Sequence, residues 1–253
     1  MKSRRLGCVS LLLALLLLGG CASQQKLTPE QISSDVASIS RQQTLAVLGG
    51  TGMVGGHILQ LALEQGYPLR VLSRSPEKLA YLGDRITIIN GDARDPAVIN
   101  QLLKGSHVVI SALGPGKNAP PDLTTAVSRN VLKAMRAQGV SRYLVVSGAG
   151  VVTPLDQRNF TGWSTRQMAR VRYPKLLRDR QNEYSLIAAS GIHWTVARCP
   201  LIDSGFSHQA ARTSLTSPEG FRVKAGALAR FLLNEVAEPT YVQQAPFVFG
   251  GSR

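Results

Sequence analysis

Short apolar runs alternate along the chain with segments of helical periodicity. Runs of strand length rich in aliphatic residues fall at 44–48, 69–73, 86–89, 107–113, 142–147 and 193–197. Between them, segments 54–65, 76–82, 96–104, 123–138 and 166–189 carry the helical pattern. In the first of these, Val54, Ile58, Leu61 and Ala62 recur at the spacing that faces a sheet, while Gln60 and Glu64 fall on the opposite side. A further helix at 228–236 and a closing strand at Phe247-Val248-Phe249 end the chain. Strands alternating with helices predict βαβ units, and so an α/β fold with a doubly wound parallel sheet covered on both faces. The length of 253 residues suits a single domain with a small C-terminal elaboration.

The N-terminus departs from this pattern. Lys2, Arg4 and Arg5 precede an apolar run at 9–18, which ends in Leu18-Gly19-Gly20-Cys21. That run falls short of the roughly 20 apolar residues that span a bilayer, and it reads as a targeting signal. The Leu-Gly-Gly-Cys stretch resembles the lipobox of bacterial lipoproteins. The resemblance implies cleavage before Cys21, diacylglycerol on its sulfur, and an exported protein anchored to a membrane on the periplasmic side of the envelope. The expected organisation is a signal at 1–20, a polar tether at 21–43 and a cofactor domain at 44–253. Ser3-Arg4-Arg5 resembles the start of a twin-arginine signal, but Gly7 stands in place of an aromatic residue and the run is leucine-rich, which favours general secretion.

Charge and cysteine usage narrow the partners. The formal net charge is +14, and loss of the signal leaves 26 basic against 15 acidic residues, or +11. Anionic lipid or a phosphorylated cofactor fits such a surface. Nucleic acid is not expected, because no recognition motif is present and an exported protein meets little of it. Cys8 and Cys21 lie in the signal, so Cys199 has no internal disulfide partner, and it reads as a small packing residue. His57, His107, His193 and His208 lack ligand spacing, and no metal site is expected.

The chemistry concentrates after the first strand. Gly49-Gly50-Thr51-Gly52-Met53-Val54-Gly55 places glycines at Gly49, Gly52 and Gly55 between a strand and a helix. The first permits a tight turn, the second lets a pyrophosphate approach the backbone, and the third lets the helix pack closely on the strand. The helix N-terminus offers free N–H groups to the phosphates. After the second strand, in Ser73-Arg74-Ser75, an NAD-preferring site would place an acid for the ribose hydroxyl, and none is present. Arg74 suits a 2′-phosphate instead, with Ser75 and Lys78 in reserve, so NADP(H) is expected ahead of NAD(H).

With Arg74-Ser75-Pro76, Gly91-Asp92-Ala93-Arg94-Asp95, Ala112-Leu113-Gly114, Gly139-Val140-Ser141-Arg142-Tyr143 and Val146-Ser147-Gly148-Ala149-Gly150, this loop resembles the atypical short-chain dehydrogenase/reductase superfamily. The similarity is to its NAD(P)H-binding, NmrA-like and flavin-reductase-like branch, and it covers roughly residues 44–250. It implies a Rossmann-type fold in which Thr51, Met53 and Val54 belong to the cofactor loop. It also places Asp92, with Ala93, toward the adenine, and Leu113 and Gly114 along the cofactor.

Typical members use a Tyr-x-x-x-Lys pair, but four residues beyond Tyr143, Tyr173 and Tyr184 stand Ser147, Leu177 and Ala188. Tyr173-Pro174-Lys175 has the residue types at the wrong spacing. Flavin-reductase-like relatives also lack the pair, and there the protein mainly aligns an acceptor with the nicotinamide. Ser147, at the end of the fifth strand, is the candidate catalytic hydroxyl. Arg166, Arg170, Arg172, Lys175, Arg178 and Arg180 form a basic segment, read as a solvated face, an entrance for an anionic acceptor or a contact with lipid headgroups. Segment 190–200 resembles the family's strand before the substrate loop, with Cys199 inserted before Pro200. Two functions remain open: an NADPH-dependent oxidoreductase serving a flavin, quinone or similar small acceptor, and a non-catalytic NADP(H)-binding sensor or assembly factor.

Overall fold

Alternation within single strands decides the layers. The computed structural model describes residues 42–251 other than 117, 118 and 158, so the expected signal, the tether up to residue 41 and Cys21 lie outside the described residues. In β1 (Leu45–Leu48) the side chains of Leu45 and Val47 pack into one apolar core, and those of Ala46 and Leu48 into another on the opposite face. A strand buried on both faces must be covered twice, and the helices do this.

On the first face, α1 (Met53–Glu64) packs with the late helix α6 (Ala225–Ala237). On the second lie α2 (Pro96–Leu103), α3 (Leu123–Gln138) and the end of α5 (Pro174–Ala188). The parallel strands are β1, β2 (Leu69–Ser73), β3 (Ile86–Asn90), β4 (Val108–Ser111), β5 (Arg142–Gly148) and β6 (His193–Cys199). β7 (Leu201–Asp203) pairs in parallel with β9 (Arg222–Lys224) as a separate ribbon. β10 (Phe247–Phe249) joins β6 in parallel, and β8 (Arg212–Ser214) closes the edge antiparallel to it. The main sheet order is β3-β2-β1-β4-β5-β6-β10-β8. The expected α/β Rossmann-type sheet is therefore present. Its direction of growth reverses between β1 and β4, the switch point where such sheets open a crevice beyond the carboxyl ends of their strands.

The structure differs from expectation in three places. The helix expected over 166–189 is two, α4 (Phe160–Arg172) and α5, which meet at Tyr173 with φ −139° and ψ 53°. Proline has no N–H to continue the ladder, and it pushes the residue before it out of the helical region. β4 is shorter than 107–113, because 112–116 leave the sheet to form a cavity wall. β7, β8 and β9 have three residues each, too few to show a period.

Local chemistry fixes several helix starts. The Asp95 carboxylate accepts from the Ala97 N–H at 2.8 Å, and the Asn159 side-chain oxygen Oδ1 accepts from the Gly162 N–H at 2.9 Å. α3 borrows its cap from α5, since Asp179 accepts from the Thr124 and Thr125 N–H groups at 2.8 and 3.0 Å. At Gly55 a Cβ would lie 2.0 Å from the Gly49 carbonyl oxygen, backbone against backbone. Gly55→Ala is expected to destabilise the protein by about 1–3 kcal/mol or more, the cost of overpacking where neither side can yield. Urea denaturation checks this, and an unchanged midpoint would show that helix and loop separate freely.

Candidate cofactor and acceptor site

The loop after β1 turns under tight steric control. Gly49 has φ 81°, and a Cβ there would meet the Ala112 carbonyl oxygen at 2.7 Å. The Gly52 N–H donates to the Gly49 carbonyl at 2.9 Å and closes the turn. α1 then begins with no side-chain cap and no acid in its first turn. Its N-terminal N–H groups and partial positive charge are left for something outside the helix.

That helix end opens on a cavity of about 870 Å³ beyond the carboxyl ends of β1, β4, β5 and β6. Of the residues singled out in the sequence, Gly52, Met53, Val54, Arg74, Leu113, Gly114 and Ser147 line it. Gly49 and Gly55 act behind the wall as packing contacts, and Thr51 is exposed beside it. Asp92 and the buried Ala93 stand outside the lining. Asp92 is bound by Arg94, with its carboxylate 2.7 Å from Nη2 and accepting the Arg94 N–H at 2.8 Å. The Arg94 side-chain hydrogen bond leads in holding this carboxyl below its ordinary range, and the charge of Arg74 contributes.

Ser147 is 4% exposed, and its Oγ has no hydrogen-bond partner among the described residues. A buried hydroxyl left unpaired costs about 1–3 kcal/mol, so an orphan on a residue that lines a cavity is a candidate ligand group. Two other candidates are spent or silent. The Tyr143 hydroxyl is buried and bonded to Ser128 Oγ at 3.0 Å, and burial, helped by the nearby Glu183 charge, pushes the phenol far above its ordinary range. Burial likewise raises the Cys199 thiol, whose side chain packs in the apolar core of the first face although the residue touches the cavity.

The basic segment divides. Arg170, Arg172, Lys175 and Arg178 are exposed, whereas Arg180 is buried rather than on a solvated face. Arg180 Nη1 lies 2.8 Å from Glu183 Oε2, and Nη2 donates to the Leu113 carbonyl at 2.5 Å. Ser128 Oγ donates to the other Glu183 oxygen at 2.9 Å. This chain ties the turn carrying Leu113 and Gly114 to α3 and β5. The sequence named Arg180 within the basic segment but gave no sign that it would be buried, and Tyr173 also stands on the cavity wall. The Arg172 guanidinium sits 5.0 Å from the Tyr173 ring centroid. The described lining holds three arginines, 74, 172 and 180, and no carboxylate. It is electrostatically fitted to an anion.

A glycine turn feeding an uncapped helix at the switch point, with an arginine beyond β2, defines a Rossmann protein of the dinucleotide-binding class. The chain belongs to the NAD(P)H-binding family, whose model matches residues 49–239. Among curated relatives, the (4-alkanoyl-5-oxo-2,5-dihydrofuran-3-yl)methyl phosphate reductase of Streptomyces griseus is 29% identical over 154 residues, 61% of this chain and 46% of the relative. The chain spans less than half the length of the first curated relatives it matches. Among solved structures, a Burkholderia pseudomallei protein described as exported superposes with TM-score 0.65 at 26% identity, covering 83% of this chain and all of that one. The anaerobillin reductase ChuY of Escherichia coli O157:H7 superposes with TM-score 0.68 at 20% identity over 82% of this chain and 97% of its own, which shows the shared fold.

The Asp179 cap generates a pH prediction. Burial alone would raise its carboxyl, but side-chain and backbone hydrogen bonds from Thr125 and Thr124 outweigh this and leave it below the ordinary value. A depressed folded value stabilises the fold above the unfolded carboxylate range, about pH 4, and that stability is lost as pH falls through the folded value. Asp179→Asn is expected to lower the denaturation midpoint at neutral pH and to flatten its fall below about pH 4. An acid limb identical in the two proteins would show that this carboxylate is not a linked group.

Proposed function

We propose that the chain is an NADPH-dependent oxidoreductase that passes hydride to a small acceptor, a flavin, a quinone or a similar compound. The observation that carries this is the orphaned hydroxyl of Ser147, a buried residue at the end of β5 that lines the same cavity as Gly52 of the glycine loop and Arg74. Bound NADPH supplies the hydride from its nicotinamide. The chain's residues hold the molecule and exclude water. The α1 N-terminus takes the pyrophosphate, Arg74 the 2′-phosphate, and the turn at Leu113 and Gly114 flanks the dinucleotide. Ser147 donates to the nicotinamide amide or to the acceptor. Tyr173 carries the other hydroxyl of the described lining and stands open to solvent. The names of similar reductases support the reaction class.

A second reading, a non-catalytic NADP(H)-binding sensor or assembly factor, is favoured by one observation. Tyr143, the tyrosine nearest to Ser147 in sequence, is locked to Ser128 in the core, and the described lining holds Tyr173 but no lysine to pair with it. Localisation is part of the same proposal: a lipoprotein anchored through Cys21 on the periplasmic side of a membrane. The Leu-Gly-Gly-Cys stretch supports this. Labelled palmitate should enter the protein and be absent from Cys21→Ser.

The cofactor reading makes a quantitative prediction. The purified protein should bind NADPH more tightly than NADH, and Arg74→Ala should remove about 1.5–3 kcal/mol of that preference. Calorimetric titration giving equal affinities in the unaltered protein would sink the phosphate assignment. Ser147→Ala should leave binding intact and slow NADPH oxidation against a panel of flavins, quinones and carbonyl compounds. Tight binding with no turnover on any of them would move the conclusion to the second reading.

A further inference from the structure

Helix α4 is amphipathic in the wrong sense for a surface helix. Its side toward the domain is small or polar: Gly162 is buried, Ala169 lies beside Gly150, and Arg166 donates to the Gly150 carbonyl. Its large apolar side chains point out. Phe160 is 78% exposed, Trp163 55%, Met168 51% and Val171 85%. At 3.6 residues per turn, Trp163, Phe160, Val171 and Met168 form one outward stripe, with Arg170 at one margin and Arg172 at the other. The Phe160 and Trp163 rings stack with centroids 6.1 Å apart. From Phe160 to Arg178 the sequence has five basic residues and no acid.

We infer that α4 docks on a membrane surface containing anionic phospholipid, lying in the interface with its aromatic stripe among the acyl chains and its flanking arginines at the phosphates. An aromatic and aliphatic face rimmed by cations is the composition that binds there. At 13 residues the helix is about 20 Å long, too short to cross a bilayer and suited to lying along it. Charge separates this occupant from a second copy of the chain. Two such faces would bring their arginines together on a protein already at +14, whereas lipid phosphate neutralises them. Insertion of Val171 and Met168 also suits lipid better than a nucleic-acid backbone, which offers them nothing to bury against.

Met168, Ala169, Arg172 and Tyr173 also line the cavity, and the exposed Leu201 and Phe221 continue its apolar rim. Docking through α4 therefore sets the cavity mouth at headgroup depth. Where the reductase reading holds, the acceptor is a lipophilic compound entering from the bilayer. The docking itself stands or falls independently of that reading.

The full chain carries its own reporter. It has two tryptophans, of which Trp163 is exposed and Trp194 is buried. Vesicles of phosphatidylcholine mixed with phosphatidylglycerol should shift Trp163 emission to the blue, and brominated acyl chains should quench it. Pure phosphatidylcholine should do so at least tenfold more weakly. Arg170→Glu, a change of two charges at roughly 1 kcal/mol each, should weaken the effect about thirtyfold. Phe160→Ser combined with Val171→Ser should weaken it about tenfold or more with unchanged circular dichroism. All variants keep the same N-terminus, so any binding by the leader is common background. The proposal is overturned by absent quenching, by equal quenching in the two lipids, or by an Arg170→Glu protein that behaves like its parent. It is also overturned if, without lipid, Trp163 becomes blue-shifted with rising protein concentration, which marks a second copy, or is already shielded from iodide, which marks another segment of the chain.

Discussion

The approach of Gly55 to Gly49 is the constraint on which the site rests. A side chain of any size would separate α1 from the end of β1, and with it the helix N-terminus from the cavity. Gly49 itself is held against the Ala112 carbonyl, so loop, helix and the end of β4 meet backbone to backbone. Backbone contact leaves N–H groups, not side chains, as the nearest polar atoms at the switch point. A phosphate is the group such a surface receives, because fixed dipoles already aimed at it need no reorganisation.

The opposite wall is built from charge buried deliberately. Arg180, Glu183 and Asp179 are all buried on α5, and each is satisfied by an element other than its own. Such groups are costly to bury unless every lone pair and proton finds a partner. Here the partners are the turn after β4, the start of α3 and the Ser128–Tyr143 pair. Removing one partner would leave a charge unpaired at a cost of about 3–5 kcal/mol, which makes this packing all-or-none. Arg198 does the same at the sheet's other end, donating to Ala245, Val151 and Leu215 carbonyls and pairing with Asp156. It stacks on Phe247, 3.7 Å from the ring centroid, and so fastens β10 to β6.

What the sequence made legible was local in character. The glycine spacing and the apolar run of β1 are each written within a few adjacent residues, where sterics and burial dominate. The burial of Arg180 was not, because its partner Leu113 lies 67 residues away and the network reaches Ser128, 55 residues from Glu183. A run of arginines looks the same whether a fold turns one of them inward or not. β7, β8 and β9 escaped for the complementary reason, being held by pairing with distant strands and not by any pattern of their own. Asp92 was legible as a motif residue, but its capture by Arg94, two positions on, was not.

The cavity's electrostatics separate binding from chemistry. Three arginines line it, yet their fields differ in reach. Arg180 is neutralised by Glu183 at 2.8 Å, and the exposed Arg172 is screened by solvent, so neither presents a full charge to a reacting atom. Arg74 lies after β2, near enough to Asp92 for its charge to act on that carboxyl, at the end where a phosphate would lie. The inner part of the lining lies at the end of β5. At that inner position the distinctive group is a neutral hydroxyl, Ser147 Oγ, rigid on a central strand and without a protein partner. Under the proposed reductase reading such a site would work by holding two reactants in register, because a fixed hydrogen bond can align rings whose transfer needs no strong acid.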